Sequence, residues 1–133
     1  MKNEIKVNFF HVCDYASFSE GGKLNILGIF ENINPASFPY THPQMFIVTN
    51  LTFKKSENVK GIIRILDEED MEIARLELPV NIKIPSDKKV AHLGLLGQIN
   101  NVKFEKKGKY KLQLLANDEM LEERIIDVPQ DSK

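Results

Sequence analysis

The chain holds one cysteine, Cys13, and no tryptophan. One thiol forms no intrachain disulfide, and such sparse use of cysteine does not suit an oxidising compartment. A structural zinc site wants three or four ligands, and the sequence has no CxxC and no HxxxH pair. Without tryptophan, the usual exposed platform of a carbohydrate-binding sandwich is missing. Long apolar runs are missing too. Glu4, Lys6, Asn8 and His11 interrupt the N-terminal stretch, whereas a secretory signal needs about 7 to 15 continuous apolar residues and a membrane span about 20. The formal net charge is −1, so no molecule-wide field gathers nucleic acid or anionic lipid. These absences lead us to expect a cytoplasmic protein with neither a membrane nor a nucleic-acid partner.

What is present is ordinary for a folded protein: 42% hydrophobic and 28% charged residues in a chain of 133. Chains of this size bury roughly two-thirds of their unfolded surface around one core. Residues 1–129 read as one domain and 130–133 as a frayed tail.

The dominant pattern has period two. In residues 5–18, IKVNFFHVCDYASF, Val7, Phe9, Cys13 and Tyr15 share one parity, and Phe10, Val12 and Ala16 the other. That is a strand apolar on both faces. After Ser19-Glu20-Gly21-Gly22 the alternation resumes with Leu24, Ile26, Gly28 and Phe30, which predicts a hairpin. Gly28, inside the strand, predicts a bulge or a close backbone approach. Residues 35–43, PASFPYTHP, carry three prolines and read as a loop crossing between sheets. Strands follow at 45–53, 61–66, 73–84, 90–104, 110–116 and 121–128. Pro79 and Pro85 mark the 73–84 arm as an edge strand or one broken at Pro79, and Gly94 and Gly97 oppose a helix in 90–104. The fold class is therefore all-β: about seven to eight mostly antiparallel strands closed into a two-sheet sandwich.

Gly21-Gly22-Lys23 resembles a phosphate cradle only in composition. A P-loop needs GxxxxGK[ST] followed by a helix whose amides hold the anion; here Leu24 follows the lysine and the next period is two. The stretch reads as a turn. His11 and Cys13 project from one strand face but lack a third ligand, so they read as a core or satisfied pair. After Asp67-Glu68-Glu69-Asp70, Met71 and Glu72 sit where a calcium loop needs its third ligand and its glycine, and the stretch reads as a solvated hairpin tip. Lys103, Lys106, Lys107, Lys109 and Lys111, interleaved with Phe104 and Tyr110, have the composition of a single-strand nucleic-acid platform; Tyr110 shares its parity with Leu112 and Leu114, which places the ring in the core instead. A GxSxG elbow is absent. The residues expected to gather if a small ligand or carbohydrate binds are Tyr40, His42 and Phe46. No catalytic residue, metal or cofactor is expected.

The stretch CDYASFSEGGKLNILGIFENINPASFP, residues 13–39, resembles an uncharacterised prokaryotic family known only as a domain of unknown function. The resemblance is carried by Asp14, Tyr15, Ala16, Gly22, Lys23, Leu24, Asn25, Ile26, Leu27, Gly28, Ile33, Phe38 and Pro39, and more loosely by Asp67–Asp70 and Gly108–Leu114. It implies an immunoglobulin-like β-sandwich and no established activity. One departure is Met71-Glu72, where the resemblance leads one to expect a glycine after the acidic residues. Together these readings lead us to expect a non-catalytic protein-interaction module, self-associating as a homodimer through an edge strand at Met45–Phe53 or Leu121–Val128. The competing classes are a small-molecule or carbohydrate binder and an enzyme with a loop-built site.

Overall fold

The computed structural model describes residues 4–129; the expected frayed tail, 130–133, lies outside them. Eight strands follow one another: β1 (Lys6–Phe18), β2 (Leu24–Ile29), β3 (Tyr40–Phe53), β4 (Glu57–Leu66), β5 (Glu72–Ile82), β6 (Ala91–Phe104), β7 (Gly108–Ala116) and β8 (Glu119–Val128). They form two four-stranded antiparallel sheets, ordered β2-β1-β3-β6 and β5-β4-β7-β8. β3 pairs with β6 in one sheet and β4 with β7 in the other, so the chain changes sheet between β3 and β4, between β5 and β6, and again between β6 and β7. That Greek-key exchange is the immunoglobulin-like arrangement.

Alternation explains the core. Phe10, Met45, Ile47 and Phe53 from the first sheet meet Ile63, Ile65, Leu112 and Ile126 from the second, each 0–1% exposed. Burying a side chain of this size contributes about 1.5–3 kcal/mol, so a two-layer core of them needs no metal or disulfide. Tyr110, at the start of β7, is buried, and its hydroxyl donates to the Lys106 carbonyl. This ties the corner between β6 and β7, as a tyrosine does at the same corner of other immunoglobulin-like sandwiches. Asn117 and Asp118, both at positive φ (50° and 70°), form a two-residue turn joining β7 to β8, the conformation that matches strand twist.

Three expectations are corrected. The proline-rich loop does not cross between sheets, because it joins β2 and β3 of one sheet, and it ends at the cis Phe38–Pro39 bond, with residues 40–43 already in β3. Pro43 is tolerated because the Cα register passes from His42↔Val102 to Gln44↔Asn100, and Asn101 opposite has φ 57°; a residue without an amide donor sits where the ladder is already distorted. Met45–Phe53 is not an edge, since β3 lies between β1 and β6. The arm holding Pro79 is an edge strand, one of the two alternatives its prolines predicted, with Pro79 opposite Lys60.

The distortion at Pro43 and Asn101 shifts the alternation by one residue. Met45 and Ile47 face the main core, and so does Tyr40, of opposite parity. Pro43 with Gln44, and Asn100 with Asn101, are consecutive exposed residues that mark the slip. A second slip bends the first hairpin. Gly28 has φ +71°, and a Cβ there would lie 2.5 Å from Asp14 Oδ2, which is the close approach its place in the strand predicts. Beyond this bend the hairpin folds back over the outer face of its own sheet. The Phe18 ring comes within 3.7 Å of a Cβ built on Gly94 of β6, although β3 separates β1 from β6. A small second core results: Cys13, Ala16, Phe46 and Val48, covered by Phe9, Leu24, Ile26 and Leu96.

Candidate functional site

The glycine pair makes a turn. Gly21 and Gly22 have φ 87° and 79°, conformations that cost a glycine little. Ser19 N donates to Lys23 O at 2.7 Å and Gly22 N to Ser19 O at 3.0 Å, so strand follows the turn and no helix N-terminus exists to hold an anion. The acidic tip packs against the lysine-bearing turn between β6 and β7. Glu68 accepts from Lys109 N at 2.8 Å, Lys106 lies 3.4 Å from Glu69, and Lys111 pairs with Asp70 at 2.5 Å. Asp67 Oδ1 accepts from the amides of Glu69 and Met71, and Asp70 takes the left-handed φ of 65°. Aspartate tolerates that region, so no glycine is needed before Met71-Glu72. These carboxylates and lysines are spent largely on each other.

The histidines are dispersed. His11 stacks on Phe9 with centroids 5.7 Å apart, and His92 Nδ1 lies 2.8 Å from Thr52 Oγ1. Cys13 is fully buried, and burial raises its thiol pKa. Among the described residues no three His, Cys, Asp or Glu side chains converge to hold a metal ion.

Tyr40 and His42 share a cavity of about 340 Å³ with Asp14, Phe30, Asn32 and Asn34. The Tyr40 hydroxyl is 3.1 Å from His42 Nδ1, and the Phe30 and His42 rings are 5.8 Å apart. Burial holds His42 below the usual imidazole range, outweighing the Asp14 carboxylate and the Gln44 backbone, which act the other way. Phe46 is elsewhere. The slip at Pro43 turns it to the opposite face of the sheet, where it packs in the second core against Tyr15, centroids 5.1 Å apart. Two of the three expected pocket residues therefore meet, and the third is replaced by Phe30 and Asp14. Asp14 was legible only as part of the 13–39 stretch; its partnership with Tyr40 depends on the hairpin bend.

The sheet margins differ in kind. β5 carries Pro79, which lacks an amide donor, together with Glu72, Arg75 and Glu77. At its C-terminal end β8 is tied to the segment after β2: Ile33 N donates to Asp127 O, and Asp127 N to Glu31 O, each at 2.9 Å. On β6, Gly97 is covered by Leu76 of β5. β2 is short and uncharged, and it presents the largest apolar exposure of any margin: Leu27 is 62% and Ile29 53% exposed, with Tyr15 opposite Leu27 at 48%. Ile29 and Ile125 of β8 line one groove of about 430 Å³, bordered by Glu31 and Arg124. Sequence reasoning missed this surface because an alternating strand such as LNILGI does not say which face remains uncovered.

Fold and surface together define an immunoglobulin-like β-sandwich with an apolar margin at β1, β2 and β8. The chain belongs to a family of unknown function (DUF6941), whose pattern matches residues 8–129. No curated protein matches the sequence. Among solved structures it is similar to an alkylpurine DNA glycosylase from Pseudomonas fluorescens (11% identity, 95% of this chain and 30% of that one, TM-score 0.48). It is also similar to an immunoglobulin-like protein from Pseudomonas aeruginosa (14%, 95% and 97%, 0.43) and to a family 2 glycosyl hydrolase from Bacteroides cellulosilyticus (14%, 96% and 15%, 0.44). The chain spans less than a third of the glycosylase and of the hydrolase, and likenesses at these scores say nothing of activity. Among the described residues no helix is long and apolar enough to cross a membrane.

Proposed function

We propose that this chain is a non-catalytic cytoplasmic interaction module whose partner is a second copy of itself, joined through the β2 margin. The observation that carries this reading is the exposure, 45–62%, of Tyr15 and Leu27, which are cross-strand partners, and of Ile29 and Ile125, which line one groove. Apolar side chains clustered this way on a surface favour association, because each one covered contributes about 25 cal/mol per Å². Self-association is favoured over a foreign partner by charge. From Leu24 to Phe30 β2 has no ionisable residue, so a two-fold axis brings no like charges together there. Glu31 and Arg124 border the groove, Arg124 also pairing with Glu122 of its own chain, and a two-fold interface, in which residue i meets j and j meets i, allows the glutamate of each copy to meet the arginine of the other. The left-handed backbone at Gly28 interrupts a straight edge, so side-chain burial rather than a long added ladder supplies the attraction. The buried free thiol of Cys13 suits a reducing compartment.

Sedimentation equilibrium up to about 1 mM, the weak end of specific association, tests this. The wild type is expected to dimerise, and Leu27→Lys to dissociate at least about tenfold more readily, as one buried apolar contact predicts. Glu31→Arg weakens the dimer and the added Arg124→Glu restores it. A strict monomer throughout, or a dimer indifferent to Leu27→Lys, overturns the proposal.

A further inference from the structure

We infer that the cavity between the first hairpin and the start of β3 binds a small organic cation, an ammonium group carried on an apolar body. The cavity measures about 340 Å³, within the size range of small-ligand sites. Its walls decide the sign of the ligand. Asp14 is the only formally acidic side chain lining it, and no lysine or arginine lines it. His42, the one other titratable group of the wall besides the Tyr40 phenol, is held toward its neutral form by burial and so does not oppose a cation. Phe30 and Tyr40 supply two aromatic rings, whose negative faces attract ammonium groups, and Asn32 and Asn34 add side-chain carbonyls able to accept its hydrogen bonds. An anion meets the Asp14 carboxylate with no compensating positive charge. A metal ion finds one carboxylate and no second acidic ligand. The site also explains the glycine opposite Asp14. A Cβ at residue 28 would lie 2.5 Å from Oδ2, so glycine leaves the carboxylate the position from which it borders the cavity. This inference is independent of the proposed dimer.

The test is a titration of ¹⁵N-labelled protein with benzylammonium, using benzyl alcohol and benzoate as neutral and anionic probes of matched shape. Benzylammonium is expected to shift the side-chain amides of Asn32 and Asn34 saturably and to bind about tenfold more tightly than either control, as carboxylate and cation–π attraction predict. Asp14→Asn reduces the cation to the level of the alcohol, and Phe30→Leu weakens it severalfold. Equal binding of all three probes, saturable shifts confined to other surfaces, or no binding of benzylammonium overturns the inference. Because Asp14 also packs on the bend, the spectrum of Asp14→Asn is checked for native dispersion; if that is lost, Phe30→Leu and the probe comparison on wild type decide the matter.

Discussion

Gly28 concentrates several demands in one residue. Its φ of +71° is a region that costs other L-residues about 1–2 kcal/mol, and the space a Cβ would fill is occupied by Asp14 Oδ2. Gly28→Ala is therefore expected to lower stability by at least about 1–2 kcal/mol, read as a lower urea midpoint at unchanged slope. Gly21→Ala makes a useful comparison, since its φ is also positive, at +87°, but nothing lies within 4 Å of the added carbon. The difference between the two variants isolates the cost of moving Asp14, and a difference of zero would refute the packing argument. Residues 13–28, which carry much of the family resemblance, are the ones that build this bend and fill the small core beneath it.

Among the elements, β6 shows how two margins of the sandwich are drawn together. Gly97 faces inward to a place where Leu76 Cδ2 occupies the space of a hypothetical Cβ, with Leu78 Cδ1 at 4.0 Å. The absent side chain lets β5 of one sheet lean onto β6 of the other. Gly97→Val forces Leu76 aside and is expected to destabilise by about 1–3 kcal/mol, the usual range for overpacking, again measured by urea unfolding. Gly94→Ala, whose Cβ meets only ordinary contacts at 3.7 and 3.8 Å, should cost far less. The slip at Pro43 has its own consequence at this scale. By exposing Pro43 and Gln44 in succession it turns Tyr40 and His42 toward the hairpin bend and Phe46 away, so one strand serves a cavity on one face of the sheet and a small core on the other.

For the whole molecule, pH acts through His42. Its pKa in the folded state lies below the ordinary 6.5 because burial disfavours the charged ring. The unfolded chain therefore binds a proton more readily than the folded one, so the contribution from this group is fully present above pH 6.5 and is lost as pH falls toward and through the folded value. Urea midpoints measured between pH 7.5 and 5 are expected to fall, and His42→Gln to flatten that part of the profile; an identical slope in the variant would assign the dependence to other groups. At the same scale the net charge of −1 leaves little repulsion between copies, which is the condition under which the apolar margin at β2 operates.

Period-two alternation, turn residues and the lack of long apolar runs were enough to establish an all-β sandwich and the turn at Gly21-Gly22, because side-chain direction in a strand depends only on local backbone geometry. Gly28 announced its close approach in the same local way. Three features were beyond that reach: the inclusion of Tyr40–Pro43 in β3, the separation of Phe46 from Tyr40 and His42, and the exposure of Leu27 and Ile29. Each depends on what lies across the ladder or above the sheet. Asn101 opposite Pro43 resets the parity, and the bent hairpin covers one apolar face of its own sheet while leaving its outer rim bare. Alternation says which residues share a face until a bulge intervenes, but only the assembled sheets decide which face another layer covers.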